Sequence, residues 1–279
     1  MKTALTKKIG FSNGEFTELS RIAISVDNIA VNRGYGVFDF FGVVNKKPFH
    51  VDRHLDRFFN SLSLLRLKIS FNREEVKRLI DSVIQQNDEV FYLKLFAIPL
   101  NSEVTQNLTS AFYILPVDSP PFNSVVYESG GNLITREYMR FLPEAKSTNY
   151  LPLIYWYPEI SEDNAIDVLF YNNNTIHETS RGNIFLVKNN KIKTPANNIL
   201  KGITRSVAID IIKEKRLHFA EESITLEELY GADEIFLTST TKKILPIVKI
   251  DHHLIGTGKV GETTKELMHL FQKLQEGWG

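Results

Sequence analysis

The sequence predicts an α+β protein of two lobes. Three observations carry this: within residues 1–117 the apolar pattern switches from strand-like runs to a helical period and back, a Pro-Pro pair sits in a polar stretch at 118–123, and the remainder is strand-dominated with Asn- and Gly-rich turns. The division reads as a small α+β lobe over 1–117, a linker over 118–123, and a larger β-rich lobe with helices over 124–279.

The elements follow in order. Asn13-Gly14 between Lys8–Phe11 and Glu15–Thr17 predicts a hairpin, because Asn-Gly tolerates the positive φ of a type I′ turn. Val37-Phe38-Asp39-Phe40-Phe41-Gly42-Val43-Val44 reads as a strand that turns at Asn45-Lys46-Lys47 and returns through Pro48 to Val51. From Asp52 the period becomes helical, with Leu55, Phe58, Phe59, Leu62 and Leu65 on one face. Asn72 with Glu75 three residues on predicts a capped helix whose apolar stripe is Val76, Leu79, Ile80, Val83 and Ile84. Strands are expected over Val90–Leu100 and Ser110–Val117. Beyond the linker, turns are expected at Gly130–Asn132, Asn172–Asn174 and Asn189-Asn190. Helices are expected near Asn149–Tyr155, from Thr204 with Val207, Ala208, Ile211 and Ile212 inward, and from Gly261 to about Gln275.

Composition removes several function classes. Acidic and basic residues balance at 33 each, and no basic run interleaves with aromatics, so a nucleic-acid groove is not expected. The absence of cysteine excludes disulfides, thiolate metal sites and a cysteine nucleophile. Met1 to Lys8 lacks an apolar core, and no stretch approaches the ~20 apolar residues that span a bilayer, so the expected location is the cytoplasm.

Gly256-Thr257-Gly258-Lys259-Val260-Gly261 matches G-x-G-x-x-G, yet too little sequence follows for a βαβ unit, so it reads as a turn before a helix. His50 and His54 have i, i+4 spacing without a metalloprotease frame, and no metal site is expected. Asn107-Leu108-Thr109 and Asn173-Asn174-Thr175 match the glycosylation acceptor and read as accidental. Lys146, in Ala145-Lys146-Ser147-Thr148-Asn149-Tyr150-Leu151, reads alone as a solvated residue before a helix cap or as a reactive amine. His177-Glu178-Thr179-Ser180-Arg181-Gly182-Asn183 leads into a strand, and Gly202-Ile203-Thr204 opens a helix whose first N–H groups suit a phosphate. Thr238-Ser239-Thr240-Thr241 adds hydroxyls at a strand end. A lysine, a carboxylate, a helix N-terminus and a hydroxyl row together describe a pyridoxal-phosphate pocket.

These segments, with Asn32-Arg33-Gly34-Tyr35-Gly36-Val37-Phe38-Asp39 and His54-Leu55-Asp56-Arg57, resemble the fold-type IV pyridoxal-phosphate enzymes. These are also called class IV aminotransferases and include D-amino-acid aminotransferase, branched-chain aminotransferase and 4-amino-4-deoxychorismate lyase. The resemblance spans nearly the whole chain and implies their two-lobed fold. It implies pyridoxal 5′-phosphate as cofactor, Lys146 as the Schiff-base lysine and proton carrier, and Glu178 facing the pyridine nitrogen. It implies a phosphate clamp of Arg57, the N–H groups of Ile203 and Thr204, and Ser239 with Thr240, and a bond from Tyr150 to the ring hydroxyl. Arg57 reads otherwise as surface charge on a helix, and Tyr150 as core. Phe38, Tyr92 and Lys94 are candidates for substrate contact. Around Tyr92-Leu93-Lys94-Leu95-Phe96 the Arg-x-His pair of D-amino-acid aminotransferase is not evident, and a bulky Phe40 replaces a small residue of many relatives. The implied reaction is ping-pong transfer of an amino group between a hydrophobic amino acid and a 2-oxo acid. The alternative is aminodeoxychorismate cleavage to pyruvate and 4-aminobenzoate. A homodimer is implied as well; the apolar run Val37–Val44 is consistent with it, and equally with a strand beneath an intrachain helix.

Overall fold

The structure, a computed structural model, describes residues 8–100, 108–119 and 122–279. Pro120-Pro121 of the expected linker, Asn107 of one acceptor triplet and the first seven residues lie outside the described residues. The chain divides into two compact units: residues 1–120 with 145–149 and 278–279, and residues 121–144 with 150–277.

In the first unit the elements are β1 Ile9–Ser12, β2 Glu15–Glu18, α1 Ile29–Arg33, β3 Val37–Val44, β4 Lys47–Pro48, α2 Val51–Leu64, β5 Leu67–Lys68, α3 Arg73–Gln85, β6 Tyr92–Pro99 and β7 Leu108–Val117. They form a sheet of order β2-β1-β7-β6-β3-β4, with β5 added on β7. The β1–β2 hairpin turns through Asn13 and Gly14, both at positive φ, as Asn-Gly dictates. Asn72 and Glu75 complete the capping box of α3. Leu55, Phe58 and Leu62 of α2 and Val76, Ile80 and Val83 of α3 are buried, each apolar side chain contributing about 1.5–3 kcal/mol relative to exposure. The return strand after β3 is shorter than expected: β4 ends at Pro48, and His50, at φ 51°, turns the chain into α2.

In the second unit the elements are α4 Val125–Ser129, β8 Gly131–Glu137, α5 Leu151–Tyr155, α6 Tyr157–Glu162, β9 Asp167–Asn172, β10 Thr175–Thr179, β11 Gly182–Lys188, β12 Lys191–Thr194, α7 Ile203–Glu214, β13 His218–Glu221, α8 Leu226–Tyr230, β14 Glu234–Ser239, β15 Lys243–Ile250, β16 His253–Leu254 and α9 Glu262–Glu276. The sheet order is β10-β9-β8-β15-β14-β11-β12-β13, with β16 on β15, and β10 also pairs β11. That last pairing closes a ring of strands around Leu133, Leu169, Ile184, Leu237, Leu245 and Ile247. Helices α4, α6 and α8 were not expected; at five or six residues they are too short to show a helical period. No helix among the described residues is long and apolar enough to cross a membrane.

One expectation needs correction. The lysine segment does not belong to the second unit; residues 145–149 pack with the first. The reason is backbone pairing: Val37 bridges Ser147, Phe38 N–H donates to Lys146 O at 3.0 Å, and Thr148 N–H donates to Gly36 O at 2.9 Å.

Candidate active site residues in each unit

In the first unit, β3 alternates between two faces. Val37, Asp39 and Phe41 have no exposure and lie on the face covered by α2, whereas Phe38 and Phe40 share the other face with Tyr92, Lys94 and Phe96 of β6. Asp39 is a charge within an apolar strand, and α2 supplies its partners. Arg57 donates Nε to Oδ2 at 2.9 Å and Nη2 to Oδ1 at 2.8 Å, His54 Nδ1 lies 2.7 Å from Oδ1, and Phe40 N–H donates to Oδ1 at 2.7 Å. Arg57 and His54 stand three residues apart, on one side of the helix. Burial pushes the Asp39 carboxyl up, but Arg57 and His54 outweigh it and hold the group well below the usual carboxylate range. Burial also pushes His54 below its ordinary value, against the pull of Asp39. The Arg57 side chain is only 10% exposed, so the surface-charge reading is excluded.

Lys146 is fixed at its backbone. Its N–H donates to Ser61 Oγ at 3.0 Å and its carbonyl accepts from Phe38, so the backbone is held from both sides. Its Nζ stands 4.5 Å from the Phe38 ring centroid. Lys94 Nζ lies 4.9 Å from the same ring and 4.5 Å from that of Phe96, and burial lowers its proton affinity. Tyr92 stacks on Phe40 at 5.1 Å. The structure thus brings Lys146, Phe38, Lys94 and Tyr92 to one aromatic face, and Lys146 is half-buried rather than fully solvated.

In the second unit, the register of β10 against β9 shifts between Ile176 and Thr179, an irregularity at the strand position of Glu178. Glu178 is buried; its Oε2 accepts from Leu200 N–H at 3.0 Å, and Arg140 Nε lies 3.3 Å from Oε1. Across the β10–β11 pair stands Asn183, which accepts from Gly202 N–H at 3.2 Å and donates to Leu200 O at 2.8 Å. Glu178 and Asn183 therefore hold the loop that delivers α7. A Cβ on Gly202 would fall 2.3 Å from Asn183 Oδ1, so only glycine permits this approach. Helix α7 begins at Ile203 and Thr204 without a side-chain cap. Thr238 pairs with Asn183, and its buried Oγ1 has no hydrogen-bond partner among the described residues. Ser239, next along β14, accepts from Lys242 N–H at 3.2 Å, and Thr240 follows. Tyr150 precedes α5 and packs against Ile134, Leu153, Ile160, Val168 and Phe170, which agrees with the core reading without excluding a role for its hydroxyl.

Other motifs resolve differently. Glu234 accepts from Thr263 N–H at 3.1 Å and Thr264 N–H at 2.8 Å, so an internal carboxylate already occupies the anion position after Gly261. His54 is committed to Asp39, and the His50 ring packs on Phe49 and Trp278. No group of three His, Cys, Asp or Glu suited to a metal occurs among the described residues. Sequence reasoning missed Asp39, His54, Arg140 and Asn183 as site-building residues. A lone acid in an apolar strand ahead of a His-x-x-Arg helix was a usable signal; Arg140, in a loop, gave none.

The family model Amino-transferase class IV matches residues 36–250. D-alanine aminotransferase of Bacillus licheniformis is 28% identical over 270 residues, covering 93% of this chain and 94% of its own. A putative branched-chain-amino-acid aminotransferase of Methanocaldococcus jannaschii is 30% identical over 286 residues, covering 96% and 97%. The crystal structure of a T.th. branched-chain amino acid aminotransferase with pyridoxamine 5′-phosphate superposes with TM-score 0.90 at 25% identity, covering 98% of this chain and 95% of that one. The chain belongs to the class IV aminotransferase family.

Proposed function

We propose that this protein is a pyridoxal-phosphate-dependent aminotransferase that exchanges an amino group between a hydrophobic, branched-chain amino acid and a 2-oxo acid by a ping-pong route. It is proposed to act as a homodimer in the cytoplasm. The observation that carries the substrate class is the aromatic face of Phe38, Phe40, Tyr92 and Phe96 beside Lys146, with Lys94 as its cation. Such a surface suits an apolar side chain and a carboxylate. The residues fit the cofactor: a buried carboxylate, an uncapped helix N-terminus, a row of hydroxyls and the partnerless Thr238 Oγ1 match a phosphorylated pyridine. When bound, the cofactor supplies an electron sink for the substrate's Cα carbanion.

The residues divide the remaining work. Lys146 would hold the cofactor covalently and carry the Cα proton, its backbone pinned by Ser61 and Phe38. Glu178, fixed by Leu200 N–H and beside Arg140, would keep a proton on the pyridine nitrogen. Ile203 and Thr204 N–H groups with Ser239 and Thr240 would receive the phosphate; the family resemblance gives Arg57 a share in that role, and Asp39 fixes the orientation of its guanidinium. Tyr150 would donate to the ring hydroxyl. The lyase alternative is not favoured, since the named relatives are D-alanine and branched-chain aminotransferases.

The test incubates the holoenzyme with L-leucine, L-isoleucine, L-valine or D-alanine and follows loss of the bound cofactor's visible absorbance, then transfer to 2-oxoglutarate. Loss with the branched-chain L-amino acids and not with D-alanine supports the reading. Turnover with D-alanine alone overturns the substrate class, and no response to any donor overturns the activity.

A further inference from the structure

We infer that Asp167 and Lys242 form a buried brace that positions both cofactor-gripping turns of the second unit, an inference that rests on the pyridoxal-phosphate reading above. Asp167 opens β9 and has no exposure. Its Oδ1 accepts from the Ser180 hydroxyl and, at 2.9 Å, from Val168 N–H; its Oδ2 takes Lys242 Nζ at 3.2 Å. Ser180 begins the turn just past Glu178 and Thr179, and its N–H donates to Val168 O at 3.0 Å. Lys242 closes the turn that carries Ser239 and Thr240. Its N–H donates to Ser239 Oγ at 3.2 Å, and its carbonyl accepts from the Tyr127 hydroxyl at 3.0 Å. One carboxylate therefore ties the turn after the pyridine-facing Glu178 to the turn proposed for the phosphate.

The energetics favour positioning over simple stabilisation. Lys242 is only 5% exposed, so two charges have left water, and the desolvation they incur consumes most of their attraction. An apolar pair of the same volume would replace the ion pair itself at little cost, although Ser180 and Val168 would lose an acceptor and Arg181, whose Nε lies 3.9 Å from Oδ2, a counter-charge. What such a pair would lack is direction: the ammonium and the hydroxyl both point to fixed lone pairs, which fixes the two turns relative to each other. Each turn is a short hairpin loop closed by its own ladder pair, Thr179 with Gly182 and Ser239 with Lys243, and the brace adds a side-chain tie between the two loops themselves.

Asp167 and Lys242 are positioning residues in this account, and the test separates that role from stability. Lys242→Met and the paired Asp167→Leu/Lys242→Met are compared with wild type in melting of the cofactor-free protein, in affinity for pyridoxal 5′-phosphate, and in affinity for pyridoxal lacking the phosphate. The paired variant is expected to stay folded, yet to bind pyridoxal 5′-phosphate about 10–100-fold more weakly, the range seen when a group that orients a metal ligand is removed. Its preference for the phosphorylated form over pyridoxal should fall in parallel, which a purely structural change would leave untouched. Wild-type affinity and preference in the folded paired variant overturn the brace. Failure of the wild-type protein to bind pyridoxal 5′-phosphate would instead overturn the functional reading beneath it.

Discussion

Replacing Asp39 by Asn removes one charge and almost no volume from the first unit, and the geometry gives its cost. The two carboxylate oxygens accept from Arg57 Nε, Arg57 Nη2, Phe40 N–H and, in the tautomer that donates, His54 Nδ1, at 2.7–2.9 Å. An amide keeps one of those oxygens and turns an NH2 group toward a donor. The guanidinium stays buried at 10% exposure with its counter-charge gone, and breaking a buried pair in this way costs about 3–5 kcal/mol. The assay is urea unfolding read by Trp278, which packs on Phe49 and His50 in the same unit, in a Trp156→Phe background. With a urea slope of ~1–3 kcal/mol/M, the midpoint should fall by at least about 1 M. The pH dependence has a fixed sign. Asp39 titrates well below its ordinary value of 3.8 when folded, so as pH falls the unfolded chain binds the proton first. The advantage of wild type over the variant is therefore full above about pH 5 and fades as pH drops through 4 toward the folded value. A loss under about 1 kcal/mol at neutral pH, or a gap that widens on acidification, would refute the reasoning.

Glu178→Gln should retain the bound cofactor but lower turnover by roughly 10²–10⁴-fold, because an amide cannot hold the pyridine proton; single-turnover absorbance kinetics at wild-type rate would sink that role. Gly202→Ala leaves the backbone unstrained at φ −64° but sets a Cβ 2.3 Å from Asn183 Oδ1. Overpacking of this kind costs about 1–3 kcal/mol, and the melting temperature should fall together with cofactor affinity, whereas unchanged melting would show that Asn183 can yield. The proposed homodimer should scatter light as twice the chain mass at micromolar concentration and lose activity on dilution. A fully active monomer ends that proposal.

Legibility in the sequence tracked the length and regularity of the signal. The capping box of α3, the Asn-Gly hairpin and the inward stripe Val207, Ala208, Ile211 and Ile212 of α7 were readable because local chemistry and burial agree there. Short helices such as α6 were not readable, since one turn holds no period and tertiary packing of Ile160 sets its conformation. Within the candidate site, the proposed roles of Lys146 and Glu178 rest on their flanking motifs. Asp39 was hidden because strand residues reveal their facing partners only once the sheet and helix are stacked. The assignment of residues 145–149 to the first unit was equally invisible, for it depends on backbone bonds to Gly36 and Phe38, which carry no side-chain signature.

The interleaving of the two units bears on how the chain is made. Residues 8–119 leave a ribosome before residues 122–279, and in many proteins an earlier unit folds while the rest is still being added, at roughly 5–20 residues per second. Here that unit stays unfinished until Ala145–Asn149 arrive to pair with Gly36, Val37 and Phe38, and it receives Trp278 against Phe49 and His50 later still. During that interval the partner sites on β3 and beside α2 stand open to other nascent chains. A chaperone that shields apolar strands should therefore raise the soluble yield of this protein, and a split between residues 119 and 122 should not give two independently folding fragments.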